Sequence, residues 1–192
     1  SATSYPGTIF GGGAPATVFS DAADCGGVDG SCVRVVITRD TNGRVWIETV
    51  YSNDISLVIN LLSKTSTNPN DILSWGTSIV VYSMVSIGST IDEDVIVPLA
   101  GGDMYSIFRP GGTVLSGKKF TSGVGWDASP VTIGSVDPFS GLPMVQAIGN
   151  PNADEVYIVY TDAGSNIQFR KYVDGSGLQT QVTIGGIVTG GS

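Results

Sequence analysis

The sequence predicts an all-β protein, most simply an antiparallel β-sandwich or jelly-roll-like domain, with a small β-propeller as the alternative. Three observations support this class. Runs of β-branched and aromatic residues recur along the chain, glycine, proline and asparagine separate them, and the one run with a helical period also alternates as a strand. The 192 residues are enough for a single domain with one core.

The first two strands are predicted as a hairpin. Segment 33–40, "VRVVITRD", is followed by a turn that ends in Asn42-Gly43 and then by "RVWIETVYS". Asn-Gly supplies the positive φ that tight hairpin turns need. The next segment, 52–64, "SNDISLVINLLSK", fits both a helical face and a strand alternation. We assign it as a strand because its neighbours are strands.

The later strands follow from the same signals of β-branched runs bounded by glycine or proline. A second hairpin is predicted because alternating apolar residues flank a turn at 162–166. The linkers carry no composition shift that marks a domain boundary, so the chain divides into an extended arm, 1–20, and a single all-β domain, 21–192. The predicted strands are 78–88, 94–99, 103–110, the hairpin 155–173 and a last strand in 181–191.

The composition excludes several functional classes. With 9 basic and 17 acidic residues the net charge is −8, which repels nucleic acid. No apolar run approaches the ~18 to 20 residues that span a bilayer. The absence of histidine removes Ser-His and Cys-His nucleophile pairs and the zinc protease motif. We therefore expect a non-enzymatic protein without a cofactor, a nucleic-acid partner or a membrane span.

Cys25 and Cys32 are the only two cysteines, separated by six residues that include three glycines. Two thiols without histidine cannot complete a zinc site, and the spacing differs from the Cys-x-x-Cys of redox motifs. The pattern predicts a disulfide, which implies an oxidising compartment and an extracellular, cell-surface or virion-surface location. A reduced pair in a virion protein assembled in cytosol stays open as the alternative.

Two segments rich in side-chain oxygens are candidates for a calcium site or a catalytic carboxylate pair. Asn150, Asn152 and Asp154 alternate as oxygen ligands do in the first half of a calcium loop, but the glycine and glutamate that complete an EF-hand are missing. An Asn-Pro turn that enters a strand explains the same residues. Consecutive acids at 92–94 predict a solvated turn, because paired catalytic carboxylates sit on separate elements.

Aromatic residues could form either a sugar-stacking platform or the core. The core is the better interpretation, because aromatic side chains in strands mostly supply buried area. The basic pairs Lys118-Lys119 and Arg170-Lys171 are isolated and make no patch. The aromatic residues considered are Trp46, Trp75, Trp126, Tyr51, Tyr82 and Tyr105.

Two segments, 35–50 and 156–173, share a strand, an aspartate, a glycine-containing turn and a second strand. The second resembles the inner hairpin of a sialidase-type β-propeller blade, a resemblance that covers 143–186, with "VDGSGLQT" as a partial echo of the Asp-box. Predicted strand onsets at Val33, Ser78, Asp103 and Glu155 are 45, 25 and 52 residues apart, so a fixed blade period is not visible. A sialidase-type enzyme would also need an arginine cluster, which the scattered arginines do not provide.

The leading functional hypothesis is a structural subunit of an extracellular filament, surface coat or virion, whose partners are copies of itself. A weakly charged β-protein has strand edges and apolar surface that neighbouring copies can cover by strand addition. The arm carries the apolar residues Ile9, Phe10, Val18 and Phe19, and we expect it to insert into an adjacent subunit, or to pack on its own domain. The alternative is a carbohydrate-binding, lectin-like adhesion module.

Overall fold

The computed structural model describes residues 18–19, 30–53, 57–85, 91–136 and 145–186. These residues form fourteen strands in three antiparallel sheets, with one short 3-10 turn at Ala100–Gly102. The predicted all-β class is confirmed. Within the described ranges, no helix has the length and apolar character needed to cross a membrane.

Sheet 1 contains four strands whose spatial order follows the chain. Asp40 organises its first turn, because its Oδ1 accepts hydrogen bonds from the backbone N–H groups of Asn42 and Arg44, both at 2.9 Å. Gly43 has φ of 85°, so the predicted Asn-Gly turn is confirmed. The ambiguous segment contains the third strand. The strands are β1 (Gly30–Arg39), β2 (Val45–Asn53), β3 (Val58–Thr65) and β4 (Ile79–Val85).

Sheet 2 repeats the same order, except that two short strands, β8 and β9, share the edge of β7. Strand β7 was not predicted, because "VLSGKKFT" interrupts the apolar alternation with a glycine and two lysines. The two short strands were not predicted either. The strands are β5 (Asp92–Pro98), β6 (Met104–Arg109), β7 (Val114–Thr121), β8 (Gly125–Trp126) and β9 (Val131–Ser135).

Sheet 3 is again a meander, with two short strands, β13 and β14, on the edge of its third strand. The predicted second hairpin is confirmed. Its turn is held by Asp162, whose Oδ1 accepts from the N–H groups of Gly164 at 2.8 Å and Asn166 at 2.9 Å. The strands are β10 (Val145–Asn150), β11 (Glu155–Thr161), β12 (Asn166–Val173), β13 (Gly177–Leu178) and β14 (Val182–Gly186).

The three sheets stack in chain order. One apolar cluster joins β2, β3 and β4 to sheet 2 through Phe108, and a larger one joins sheet 2 to sheet 3. The first strands lie side by side, since β5 contacts both β1 and β10. The sheets therefore pack face to face, as in a sandwich, but they follow one another as the four-stranded blades of a β-propeller do.

The two segments compared as a repeat, 35–50 and 156–173, occupy different places in their sheets. The first is the hairpin of strands one and two of sheet 1, and the second is the hairpin of strands two and three of sheet 3. The resemblance of 143–186 to a propeller blade falls on sheet 3.

Candidate functional site

Several predicted residues lie outside the described part of the chain. Ile9, Phe10 and Cys25 are among them, and so is the boundary at residue 20. Cys32 belongs to β1, but its side chain is not described. The predicted disulfide therefore stays a prediction.

Two residues of the arm are described and contact sheet 1 of the same chain. Phe19 packs on Tyr51 and Leu62, on the face of sheet 1 that points away from sheet 2. Lys64 Nζ donates a hydrogen bond of 2.7 Å to the carbonyl oxygen of Val18 and lies 5.4 Å from the Phe19 ring centroid.

The three residues weighed as calcium ligands point in different directions. Asp154 Oδ1 accepts a hydrogen bond of 2.9 Å from the N–H of Ala100 in sheet 2, whereas the Asn150 side chain donates to the Tyr157 hydroxyl at 3.4 Å. Asn152 is exposed in the turn. The described ranges contain no cluster of three or more histidine, cysteine or acidic side chains that could hold a metal ion.

The aromatic residues are mainly core. Trp46, Tyr51 and Tyr105 are buried, and Trp126 packs edge-on against Trp46 with ring centroids 6.4 Å apart. The half-buried Trp75 donates its Nε1–H to the carbonyl of Ile72 at 3.0 Å. This set forms no exposed platform.

The prediction of a solvated acidic turn is wrong for Asp94, which is buried between sheets 1 and 2 beside the buried Glu48. Ser106 Oγ donates to Glu48 Oε2 at 2.8 Å, but no described donor reaches Glu48 Oε1 or either oxygen of Asp94. Burial raises the pKa of Asp94 to about 6, and burial followed by repulsion from Asp94 raises the pKa of Glu48 well above its usual value. Both carboxyl groups therefore take up a proton more readily in the folded protein than in water, which the sequence alone did not indicate.

Cross-strand pairing aligns the three sheets with one another. Each residue of a sheet's second strand pairs with one residue of the first strand and one of the third. We call such a set of three paired residues a row. One row faces the preceding sheet in the chain, and the neighbouring row faces the following one. The rows facing back are Ile37, Ile47 and Lys64; Ile96, Ser106 and Lys118; and Ala147, Ile158 and Arg170, while the rows facing forward are centred on Trp46, Tyr105 and Tyr157.

The forward face of sheet 2 carries a triplet centred on the buried Tyr105. Tyr105 is 1% exposed, and its ring lies against Tyr172 of sheet 3 with centroids 4.2 Å apart. Lys119, the cross-strand neighbour of Tyr105, forms ion pairs of 2.8 Å with Asp103 and 2.7 Å with Asp174 of sheet 3. The triplet Asp103, Tyr105 and Lys119 thus fastens sheet 2 to sheet 3.

The forward face of sheet 3 carries the same triplet as Glu155, Tyr157 and Lys171. Lys171 pairs across the strands with Tyr157 and forms an ion pair of 2.7 Å with Glu155. The Tyr157 hydroxyl donates to Glu155 Oε2 at 2.5 Å. Lys171 holds the pKa of Glu155 below its usual value, and Glu155 raises the pKa of Lys171.

This forward face of sheet 3, which we call the open face, is apolar around the triplet. Ile148 is 66% exposed, Val159 and Val182 are also exposed, and Phe169 stacks on Tyr157 with centroids 6.3 Å apart and ring planes inclined by 23°. A shallow depression of about 190 Å³ lies among Gln146, Ala147, Ile148, Tyr157 and Val159. The open face is the candidate functional site.

The sequence contained a signal for this site that periodicity alone did not expose. The pattern acid-x-Tyr, followed by a basic pair, occurs as Asp103-x-Tyr105 with Lys118-Lys119 and again, 52 residues later, as Glu155-x-Tyr157 with Arg170-Lys171. The basic pairs are therefore repeat positions, in which the first residue faces the preceding sheet and the second lies on the opposite face.

Comparison with known proteins gives no family, since no family model and no curated protein matches the chain. Similar solved structures include an ulvan lyase bound to a carbohydrate, with 15% identity and a TM-score of 0.48 over 79% of this chain and 42% of that one. An exo-β-1,3-galactanase from Phanerochaete chrysosporium has 8% identity and a TM-score of 0.45 over 82% of this chain and 37% of that one. The Aleuria aurantia lectin with α-methyl-L-fucoside has 15% identity and a TM-score of 0.43 over 78% and 46%. The chain spans less than half the length of each of these proteins.

Proposed function

We propose that this chain is a non-enzymatic assembly module, in which the open face of sheet 3 in one copy stacks on sheet 1 of a second copy. The observation that carries the proposal is the recurrence of the triplet of sheet 2, whose tyrosine is buried, on a face of sheet 3 where the tyrosine is only half-buried. Where Asp103, Tyr105 and Lys119 meet a following sheet, their counterparts Glu155, Tyr157 and Lys171 meet none within the described chain.

The other end of the stack offers the complementary surface. Ile37 of sheet 1 occupies the row position that Ile96 holds in sheet 2, yet Ile37 is 68% exposed and Ile96 only 4%. Val35 and Val80 on the same side of sheet 1 are exposed as well. The centre of this face, Ile47 and Tyr51, is buried within the chain, so head-to-tail association would use the exposed outer strands and displace the cover over the centre.

Head-to-tail contacts give either a closed ring or an open polymer. Two copies of three sheets would make a ring of six, which lies within the four to eight blades of known propellers. An open polymer corresponds to the filament or surface coat that the sequence predicts. The proposal places this assembly outside the cell or on a cell or virion surface, where the Cys25–Cys32 disulfide would form.

Sedimentation velocity over a concentration series tests the proposal. We expect the full chain to form dimers or larger species with rising concentration, and the Tyr157→Asp variant to stay monomeric, because a carboxylate would be buried next to Glu155. Val124→Asp is the matched control, since Val124 is 86% exposed in the β7–β8 turn. A wild-type chain that remains monomeric throughout contradicts self-association.

Carbohydrate binding at the open face is the second candidate. It is favoured by the Tyr157 and Phe169 rings beside the polar groups of Glu155 and Lys171, because an aromatic face with hydrogen-bonding groups at its rim can hold a sugar ring. The depression of about 190 Å³ is smaller than the ~300 Å³ at which ligand pockets begin, so it suits contact with a single sugar.

A glycan array with purified wild type and Tyr157→Asp separates the two candidates. Saturable binding that disappears in Tyr157→Asp, by a protein that sediments as a monomer, would favour the carbohydrate-binding module. Concentration-dependent association without a glycan signal would favour assembly.

A further inference from the structure

The third strands of sheets 2 and 3 attach to the preceding sheet in the same way. Lys118 Nζ donates a hydrogen bond of 2.6 Å to the carbonyl of Val81 in β4. Arg170, in the equivalent row position, donates through Nη1 to the carbonyl of Ile133 in β9. Each sheet is thus tied by one basic side chain to the outer strand of the sheet before it.

Lys64 holds this row position in sheet 1, which no sheet precedes among the described residues. Its acceptor is the carbonyl of Val18 in the arm, at 2.7 Å. Val18 therefore takes the role that Val81 and Ile133 have at the other two junctions.

The residue that follows each acceptor confirms the correspondence. Tyr82 packs on Phe108 with centroids 5.1 Å apart, and Gly134 lies so close under Tyr160 that a Cβ there would overlap the ring hydroxyl. Phe19, after Val18, likewise packs on Tyr51 and Leu62 of the following sheet. The sequences agree too, since "PATVFS" at 15–20 matches "PVTIGS" at 130–135 in its proline, threonine and serine.

Strand β14 repeats this pattern a further time, because its sequence "VTIGG" aligns with "VTIGS" of β9 and places Ile184 at the position of Ile133. In the assembly proposed above, the Ile184 carbonyl of one copy would face Lys64 of the next. The Lys64 ammonium already has Val18 in that position, and the Phe19 ring covers the surface beside it.

We propose that Val18 and Phe19 form a self-cap, which imitates the outer strand of a preceding sheet and competes with β14 of a second copy for Lys64 and the adjoining apolar face of sheet 1. This inference rests on the proposed function. The cap lowers the fraction of chains whose sheet 1 is open to a partner, and the apparent affinity falls in proportion to that fraction.

Sedimentation equilibrium of the full chain with Phe19→Ala tests the competition. Removing the ring weakens the cap, and we expect self-association to tighten about tenfold relative to wild type. Val124→Ala, an apolar truncation on an exposed turn, is the matched control and should leave the association constant unchanged.

The outcomes separate this inference from the proposed function. If wild type associates and Phe19→Ala associates equally or more weakly, the competition is overturned while assembly stands; weaker association would mean that the arm serves the partner as a donor strand. If wild type, Phe19→Ala and Val124→Ala all stay monomeric, the proposed function fails and the competition fails with it.

Discussion

Sheets 2 and 3 present the same triplet on the same face in two different environments. In sheet 2 the Tyr105 ring is covered by Tyr172, and Lys119 bridges two carboxylates on different sheets. In sheet 3 Tyr157 is half-buried, and Lys171 has a carboxylate partner, Glu155, on its own sheet. The comparison shows that one local pattern serves as a junction or as an exposed surface, according to whether another sheet follows.

One residue difference between the two faces agrees with this difference in burial. Gly117 of sheet 2 lies beneath Tyr105, where a Cβ would overlap the tyrosine hydroxyl, so the ring lies close to the sheet. Sheet 3 has Phe169 at the equivalent position, and its ring stacks on Tyr157 instead. The Phe169 ring therefore adds apolar surface to the open face, which a partner sheet or a sugar can contact.

The largest expected difference in the free energy of unfolding is between truncation of Tyr105 and truncation of Tyr157. Tyr105→Ala should lower the free energy of unfolding by about 3 kcal/mol, because it leaves a cavity between sheets 2 and 3. Tyr157→Ala should cost less than about 1 kcal/mol in the monomer, because the side chain is only half-buried. Urea unfolding at low protein concentration measures both. Equal losses would show that the open face is covered in solution.

Substitutions of Lys119 and Lys171 should change the free energy of unfolding by an intermediate amount. Lys119→Met removes the cation between Asp103 and Asp174 and leaves two carboxylates near each other, so we expect a loss of about 2 kcal/mol. Lys171→Met should lower the stability of the monomer by less than about 1 kcal/mol, since its partly exposed ion pair lies within one sheet and leaves a single carboxylate behind. Thermal unfolding of both variants beside wild type provides the measurement, and a larger loss for Lys171→Met would contradict the assignment of sheet 3 as the open end.

The smallest effect concerns the junction of sheets 1 and 2, where Glu48 occupies the forward-row position that Ile107 and Val159 hold in sheets 2 and 3. The pKa values of Glu48 and Asp94 are raised in the folded state, so the folded protein binds more protons than the unfolded chain. Their contribution to stability is fully present below about pH 4 and declines as the pH rises through about 6 for Asp94, and the raised pKa of Glu48 acts in the same direction.

Glu48→Gln should flatten that decline and raise stability at pH 8, because the amide oxygen still accepts from Ser106 and the amide N–H can donate to Asp94. Denaturant unfolding between pH 5 and pH 8 measures how the free energy of unfolding changes with pH. This range is chosen because the pKa of Asp94 is about 6. Glu155→Gln is the control, since its carboxyl has a lowered pKa and is ionised throughout this range. A wild-type slope that survives Glu48→Gln would refute the assignment of this decline to Glu48 and Asp94.

Much of the fold could be predicted from the sequence. The Asn42-Gly43 turn, the turn at 162–166 and the β-branched runs gave the class, both hairpins and the assignment of β3, because turn geometry and side-chain alternation are local properties. Strand β7 was missed because Lys118 and Lys119 face opposite neighbouring sheets, and lysines at buried or half-buried positions contradict the usual pattern. The burial of Glu48 beside Asp94 and their raised pKa values were missed because the two residues are far apart in sequence.

The sequence by itself determined that the chain forms antiparallel sheets and which residues share a face, since these depend on alternation and on turns. Only the tertiary structure decided which face meets which sheet. Tyr105 and Tyr157 have the same local pattern, yet one is buried and the other is half-exposed, because burial depends on the presence of a neighbouring sheet. A period of two along a strand carries no information about that neighbour.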